Sequence, residues 1–293
     1  MINHIKNILT VAVLVTSIFA SQFQLKSVQQ GHKILTFSFQ GIEVESKDGF
    51  TRLTTSEKGS TTDEGMPELP VFTSFFQMDA GISYDVSYSV VSSHVLENIE
   101  IYPYQGEPVI GLEKPFLKNI NFYNSNSVYP ETNLTISEPM VMRDIEVGLL
   151  TFVPFEYHIE TKELIVFDEV NLNIIETGVR ESIVQFPSKR SYLFEPLYED
   201  LIVDYEPLSS REDYQPASIM YICGGASLSH PFVENLIEWR RLQGYIVYAV
   251  STSEAGGSSA SAIENYLEDV YDSWETPPEI VGLIGDTGGT YGI

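Results

Sequence analysis

Hydrophobic and polar positions follow two different periods along the chain. From about residue 22 to 180 the period is close to two. The stretch ISYDVSYSVVSSHVLE, residues 82–97, alternates cleanly, and HKILTFSFQGIEVES, residues 32–46, alternates roughly. Tyr, Phe, Val, Ile and Thr dominate both runs, and these side chains fit a pleated, half-buried surface. GLLTFVPFEYHIETKELIVFDEVNLNIIET, residues 148–177, predicts a hairpin: a strand to about His158, a polar turn at Glu160-Thr161-Lys162, then a second strand. Short strands punctuated by Pro and Gly predict an all-β sandwich or barrel over residues 21–180. Residues 181–216 mix charge, Pro and Ser with a few apolar anchors, and read as a connector lying partly against a surface.

From residue 218 the period changes. SIMYICGG, residues 218–225, is a nearly continuous apolar run, as a buried parallel strand requires. In SHPFVENLIEWRRLQG, residues 229–244, helical spacing joins Phe232, Val233, Leu236, Ile237 and either Trp239 or Arg240. Ser229 is placed to cap that helix, Pro231 falls in its first turn and Gly244 ends it. YIVYAVST, residues 245–252, is the next strand. SAIENYLEDVYDSW, residues 261–274, is the next helix, with Ser261 and Glu264 spaced for a capping box and a stripe of Ile263, Tyr266, Leu267, Val270, Tyr271 and Trp274. EIVGLIGD, residues 279–286, is the third strand. A βαβαβ order predicts parallel strands with covering helices and a site beyond their carboxyl ends, here Gly224-Gly225, Ser251-Thr252 and Gly285-Asp286. Three strands leave open edges. Residues 217–293 are therefore expected to be the start of a larger, truncated α/β domain.

Composition narrows the setting. The formal charge is −25 and the pI is near 4.4. Such a surface repels phosphate backbones, which disfavours nucleic acid as a partner. The acid is uneven: residues 191–293 carry 17 Asp/Glu against 3 Lys/Arg, a net of −14, leaving −11 for the longer amino-terminal part. The amino terminus reads MINHIKNILTVAVLVTSIFASQ, with Lys6 before an apolar run from Ile8 to Phe19 and the small Ala20 after it. This is the pattern of a secretory signal over residues 1–20, and it predicts a secreted or cell-surface protein of bacterial type. No other stretch is long and apolar enough to span a membrane. A single cysteine, Cys223, excludes an internal disulfide.

Candidate chemistry is sparse. GGASLS, residues 224–229, has the glycines of a phosphate cradle but neither phosphate-loop spacing nor a following Lys. Cys223 with His230 has the types of a nucleophile and base, yet an apolar run within an acidic segment suits a buried thiol better than a reactive one. Asp286, beside Gly285 at a strand end, is a weak candidate for a cation such as a structural calcium; capping of the following turn is the favoured reading. Asn133-Leu134-Thr135 matches a glycosylation sequon, to which a bacterial-type leader gives no weight. The histidines, at 4, 32, 94, 158 and 230, are scattered, and no metal cluster or catalytic triad assembles by spacing. Lys189-Arg190 and Arg211 lie in the polar connector, where basic residues suit proteolytic maturation.

Two regions resemble one family. GMPELPVFTSFF, residues 65–76, resembles the Gly-x-Pro-x-Leu-Pro signature of the propeptide of gingipain-type cysteine peptidases. The Pro154-Phe155-x-Tyr157 and Thr161-x-x-Leu164 pattern of the predicted hairpin resembles a later part of that propeptide. Residues 218–286, with Glu-Trp-Arg-Arg-Leu-Gln-Gly at 238–244 and a strand closing in Gly-Asp, are similar to the start of the gingipain catalytic domain. The resemblance implies a secreted zymogen in which a β-sandwich prodomain precedes a caspase-like α/β peptidase acting on proteins or peptides. It further implies a catalytic His and Cys on later strands, so no catalytic and no cofactor residue is carried over here and the chain alone is expected to be inactive. Its partner would be its own downstream catalytic domain. The competing reading is a non-catalytic secreted or surface protein that uses the propeptide fold for binding or secretion. A nucleotide-using α/β enzyme is a third reading, against which the leader and the missing phosphate fingerprint argue.

Overall fold

The computed structural model describes residues 22–55, 59–107, 111, 115–183 and 189–293, so the predicted leader at 1–20 lies outside the described residues. Strands dominate and helices are few. Most of the amino-terminal two thirds folds around two antiparallel sheets. In the first, Phe23–Gln29, His32–Ser38, Glu163–Val179, Phe155–His158 and Val128–Tyr129 lie in that order, with Ile82–Leu96 along the other edge of Glu163–Val179. In the second, Ile145–Phe152 pairs with Phe72–Met78 on one side and with Leu134–Ile136 and Met140–Met142 on the other.

The predicted hairpin is present, with one difference. Glu163–Val179 follows Phe155–His158 through a turn in which Lys162 adopts a left-handed φ of 54°. The strand before the turn is interrupted, however. Ile145–Phe152 belongs to the second sheet and Phe155–His158 to the first. Pro154 has no N–H to give a ladder, and at this point the chain leaves one sheet for the other. Both sheets feed one apolar core. Phe37 of the first sheet lies 5.2 Å from Phe72 and 5.0 Å from Phe152 of the second, ring centre to ring centre, in edge-on contacts.

The connector is partly docked. Helix Glu195–Leu201 buries Tyr198, and Ile202 bridges to Phe75 of the second sheet. Beyond it, Arg190–Ser191 and Tyr214–Gln215 form a short parallel pair that ties the connector's two ends together.

Residues 218–293 form the predicted βαβαβ unit. The strand order is Ile246–Ser251, Ser218–Cys223, Ile280–Ile284, all parallel, with the first strand in the middle. Every residue of Ser218–Cys223 is buried, as its unbroken apolar run requires. Its alternate side chains serve two cores. Ile219, Tyr221 and Cys223 pack with Val233 and Ile237 of helix Pro231–Leu242. Met220 and Ile222 pack with Val270 of helix Ala260–Ser273 and its partly buried neighbours.

Both helix starts differ from the expected ones. His230, not Ser229, caps the first helix, its Nδ1 accepting from the Phe232 amide, because a 3₁₀ turn at Ser227–Ser229 comes first. Ser259, not Ser261, caps the second, accepting from the Ala262 amide. Ser261 therefore sits inside the helix and the Ser261–Glu264 capping box does not form. Two stripe residues also point to water: Phe232 is 79% exposed, and Tyr271 is exposed.

Candidate functional site

Two places carry chemistry: the carboxyl ends of the parallel strands, and the junction between the β-rich part and the α/β unit.

With the first strand central, the sheet order reverses at Ser218–Cys223, and a crevice is expected beyond Gly224-Gly225 and Gly285-Asp286. The last residues fold back over that corner. The Ala226 amide donates to the Thr290 carbonyl, the Asp286 amide to the Tyr291 carbonyl, and the Ile293 amide to the Asp286 carbonyl. Gly225 has φ +51°, and a Cβ there would sit 2.0 Å from the Thr290 oxygen. The Asp286 carboxylate accepts from the Thr287 amide at 2.7 Å and from its hydroxyl at 3.4 Å, an arrangement that caps the turn. Among the described residues no three His, Cys, Asp or Glu gather where a metal ion would sit. Cys223 is fully buried, and that burial pushes its thiol up. His230 is spent on its helix cap and contacts Phe232 and Tyr291. The structure does not bring Cys223 and His230 together as a hydrogen-bonded pair.

The junction is richer. A tight turn between Met140–Met142 and Ile145–Phe152 presents Arg143 and Asp144, with Arg143 at a left-handed φ of 57°. The Arg143 guanidinium stacks 3.8 Å from the centre of the Phe194 ring and donates to the Glu279 carbonyl at 3.3 Å. Asp144 is 9% exposed and accepts from the Ser191 amide at 2.8 Å and from the Tyr198 hydroxyl. Opposite, the Ser218 hydroxyl and the Gln215 amide group both donate to the Pro277 carbonyl, each at 2.8 Å. Glu279, 8% exposed, accepts from the Ser218 amide at 3.3 Å through Oε2. Among the described residues its Oε1 and the Ser191 hydroxyl find no hydrogen-bond partner, although both are buried. Arg143, Asp144, Ser191, Gln215 and Glu279 line a cleft of about 180 Å³. Burial pushes the Glu279 carboxyl above the usual carboxylate range. Ser191, the Ser218 amide and Arg143 pull against that, and Asp144 adds to it.

Sequence reading missed Asp144 and Glu279. The available signal was local: Pro277-Pro278-Glu279 stands directly before an apolar strand, and Arg143-Asp144 forms a tight turn between apolar runs.

The two maturation candidates differ. Arg190 is half-buried, pairs in the strand with Tyr214 and donates to the Tyr205 hydroxyl at 3.2 Å. Arg211 opens an exposed 3₁₀ turn and lies over the Tyr192 ring. Lys189 reaches the Glu212 carbonyl at 2.7 Å.

Comparison with known proteins follows the same division. Residues 16–208 match the family Propeptide_C25, and residues 212–292 match Peptidase family C25. The chain is 24% identical over 276 residues to Gingipain R1 of Porphyromonas gingivalis, covering 89% of this chain and 27% of that protein. It is 22% identical over 282 residues to Gingipain R2 of the same organism, covering 90% and 37%. It thus spans roughly a quarter to just over a third of the length of these relatives. Among solved structures, it is similar to a complex of the Porphyromonas gingivalis RgpB pro- and mature domains. The TM-score is 0.53 at 22% identity, over 64% of this chain and 100% of that one. That likeness speaks to fold alone. On the strength of the propeptide match over most of its length, the chain belongs to the gingipain-type C25 cysteine peptidase family.

Proposed function

We propose that this chain is the amino-terminal part of the zymogen of an exported, gingipain-like cysteine endopeptidase. Residues 1–20 direct export to the cell surface or medium. A β-sandwich prodomain, residues 21–180, is followed by the connector and by the first strands of a caspase-like peptidase domain. The catalytic His and Cys follow on strands encoded after residue 293. The observation that carries this reading is the junction itself. A segment matching the propeptide and a segment matching the peptidase meet within one chain, and Arg143–Glu279 and the pair of Arg190–Ser191 with Tyr214–Gln215 hold them together.

The prodomain keeps the enzyme inactive until the connector is cut. Of the two basic candidates, exposure favours Arg211 over Arg190. Arg211 also stands between the end of the propeptide match at 208 and the start of the peptidase match at 212. The substrates of the mature enzyme are proteins or peptides.

The test is expression of this chain with and without the coding sequence that follows it, assayed on casein. The longer product is expected to hydrolyse casein after cleavage at the connector, and the 293-residue chain is expected to be inert. Hydrolysis by the 293-residue chain, or a following sequence without a His-Gly pair and a Cys, would overturn the reading.

A further inference from the structure

The junction cleft holds a buried acid that the zymogen reading does not use. Glu279 belongs to the peptidase-matching segment, and its carboxylate is closed in by groups from the propeptide-matching one. Asp144, Arg143 and the Ser191 hydroxyl approach from that side, and Lys189 lines the same cleft. From its own side it meets the Ser218 amide, with Tyr271 on the cleft wall. Among the described residues one oxygen, Oε1, is buried without a hydrogen-bond partner, and so is the Ser191 hydroxyl. A neutral carboxyl stays away from water at little cost, whereas an ionised one sets a second negative charge near Asp144 inside a buried cleft, which the Ser191 hydroxyl and Arg143 only partly offset.

We propose that Glu279 makes the contact between the propeptide and peptidase segments a proton-dependent latch, closed while its carboxyl is protonated and loosened once it ionises. The raised carboxyl supports this and fixes the sign. A group whose pKa is higher in the closed state contributes fully below its ordinary value of 4.5. That contribution falls by up to about tenfold in closing equilibrium per pH unit until the raised value is passed, and then levels off. Rising pH therefore opens the junction and exposes the neighbouring connector. The biological meaning rests on the zymogen reading; the latch does not.

The experiment is hydrogen exchange on the full 293-residue chain between pH 5 and 8, with protection corrected for intrinsic exchange rates. Peptides covering 189–193 and 214–219 report the junction, and the strand Glu163–Val179 is the internal control. Junction protection is expected to fall several-fold with pH while the control holds. Glu279→Gln, which mimics the protonated acid, should flatten the junction profile. Ser191→Ala, which removes a group that favours ionisation, should carry the fall to higher pH. A flat parent profile, or a Glu279→Gln profile parallel to the parent's, overturns the latch. Should Glu279→Gln fail to fold, the parent and Ser191→Ala profiles decide. No peptidase activity is read, so absence of a downstream catalytic pair would defeat the zymogen reading and leave this result standing.

Discussion

The Lys33 ammonium and the Asp204 carboxylate, 171 residues apart, meet at 2.6 Å, with the Asp204 side chain 1% exposed. Asp204 also accepts from the Gln77 amide at 2.7 Å, and Lys33 donates to the Gln77 carbonyl. One ion pair thus pins the connector to both antiparallel sheets. Removing one partner of a buried pair strands the other, at about 3 kcal/mol. Asp204→Ala is expected to lower the melting temperature and to open residues 195–205 to limited proteolysis. The double change Lys33→Met with Asp204→Leu should cost clearly less than Asp204→Ala alone. Equal losses in thermal melts would show that the pair is not the fastening.

Glu146 offers a second, oppositely signed acid. Burial would raise its carboxyl, but Arg180, the Ser182 hydroxyl and the Ile183 amide outweigh burial and hold it below the usual range. A lowered carboxyl contributes stability that is fully present above 4.5 and is lost as pH falls through the folded value. The melting-temperature difference between the parent and Glu146→Gln is therefore expected to be largest near pH 7 and to shrink on acidification. A gap that stays constant down to about pH 3 would contradict this.

Cys223 is the chain's only thiol, and it is buried with its pKa pushed up. Iodoacetamide at pH 8 should leave it unmodified in the native chain and alkylate it in denaturant. Rapid native labelling would reopen the nucleophile reading. Cys223→Ser buries a hydroxyl in an apolar strand and is expected to cost about 1–3 kcal/mol.

Gly225→Ala tests the folded-back carboxyl-terminal residues. It places a Cβ against the Thr290 oxygen at a positive φ. The strain is of order 1–3 kcal/mol. Amides 290–293 should lose protection while the helix Pro231–Leu242 keeps its own. Unchanged exchange at 290–293 would mean that the tail does not rest on this corner.

Arg211 is expected to be the first bond cut when the native chain meets an arginine-specific peptidase. Arg211→Gln should slow that cut at least tenfold and leave Arg190, tied to Tyr205 and Tyr214, little touched. A first cut after Arg190, read by amino-terminal sequencing, would reverse the assignment.

How legible each part was depended on the range of the forces behind it. Ser218–Cys223 was readable because a strand buried on both faces must be apolar throughout, and that is a local property. The turn before Glu163 was readable from its polar residues. The change of sheet at Pro154 was not, since a proline marks a break without saying where the next strand pairs. The helix caps slipped by one or two residues: the 3₁₀ turn at Ser227–Ser229 passes the first cap on to His230, and Ser259 and Ser261 are both competent for the second. Phe232 fitted a helical stripe, but it lies in the first turn of Pro231–Leu242 and stays exposed. Asp144 and Glu279 stayed hidden because sequence spacing cannot report two carboxylates that come from opposite ends of a 135-residue separation. The family signal lay in short ordered motifs and survived at 24% identity.

The strand Ile82–Leu96 has a practical consequence. Among the described residues it pairs only through one edge, to Glu163–Val179, and its other edge has no strand partner. Val90, Val91 and Val95 on it are exposed, and Asp85 is its single Asp, Glu, Lys or Arg. Such a border invites a second molecule to extend the ladder, and here mutual repulsion between highly anionic copies stands in the way. That repulsion vanishes near pH 4.4. Acid precipitation in purification would then form strand-to-strand assemblies at this border. Neutral, low-salt buffers are the conditions that keep the molecules apart.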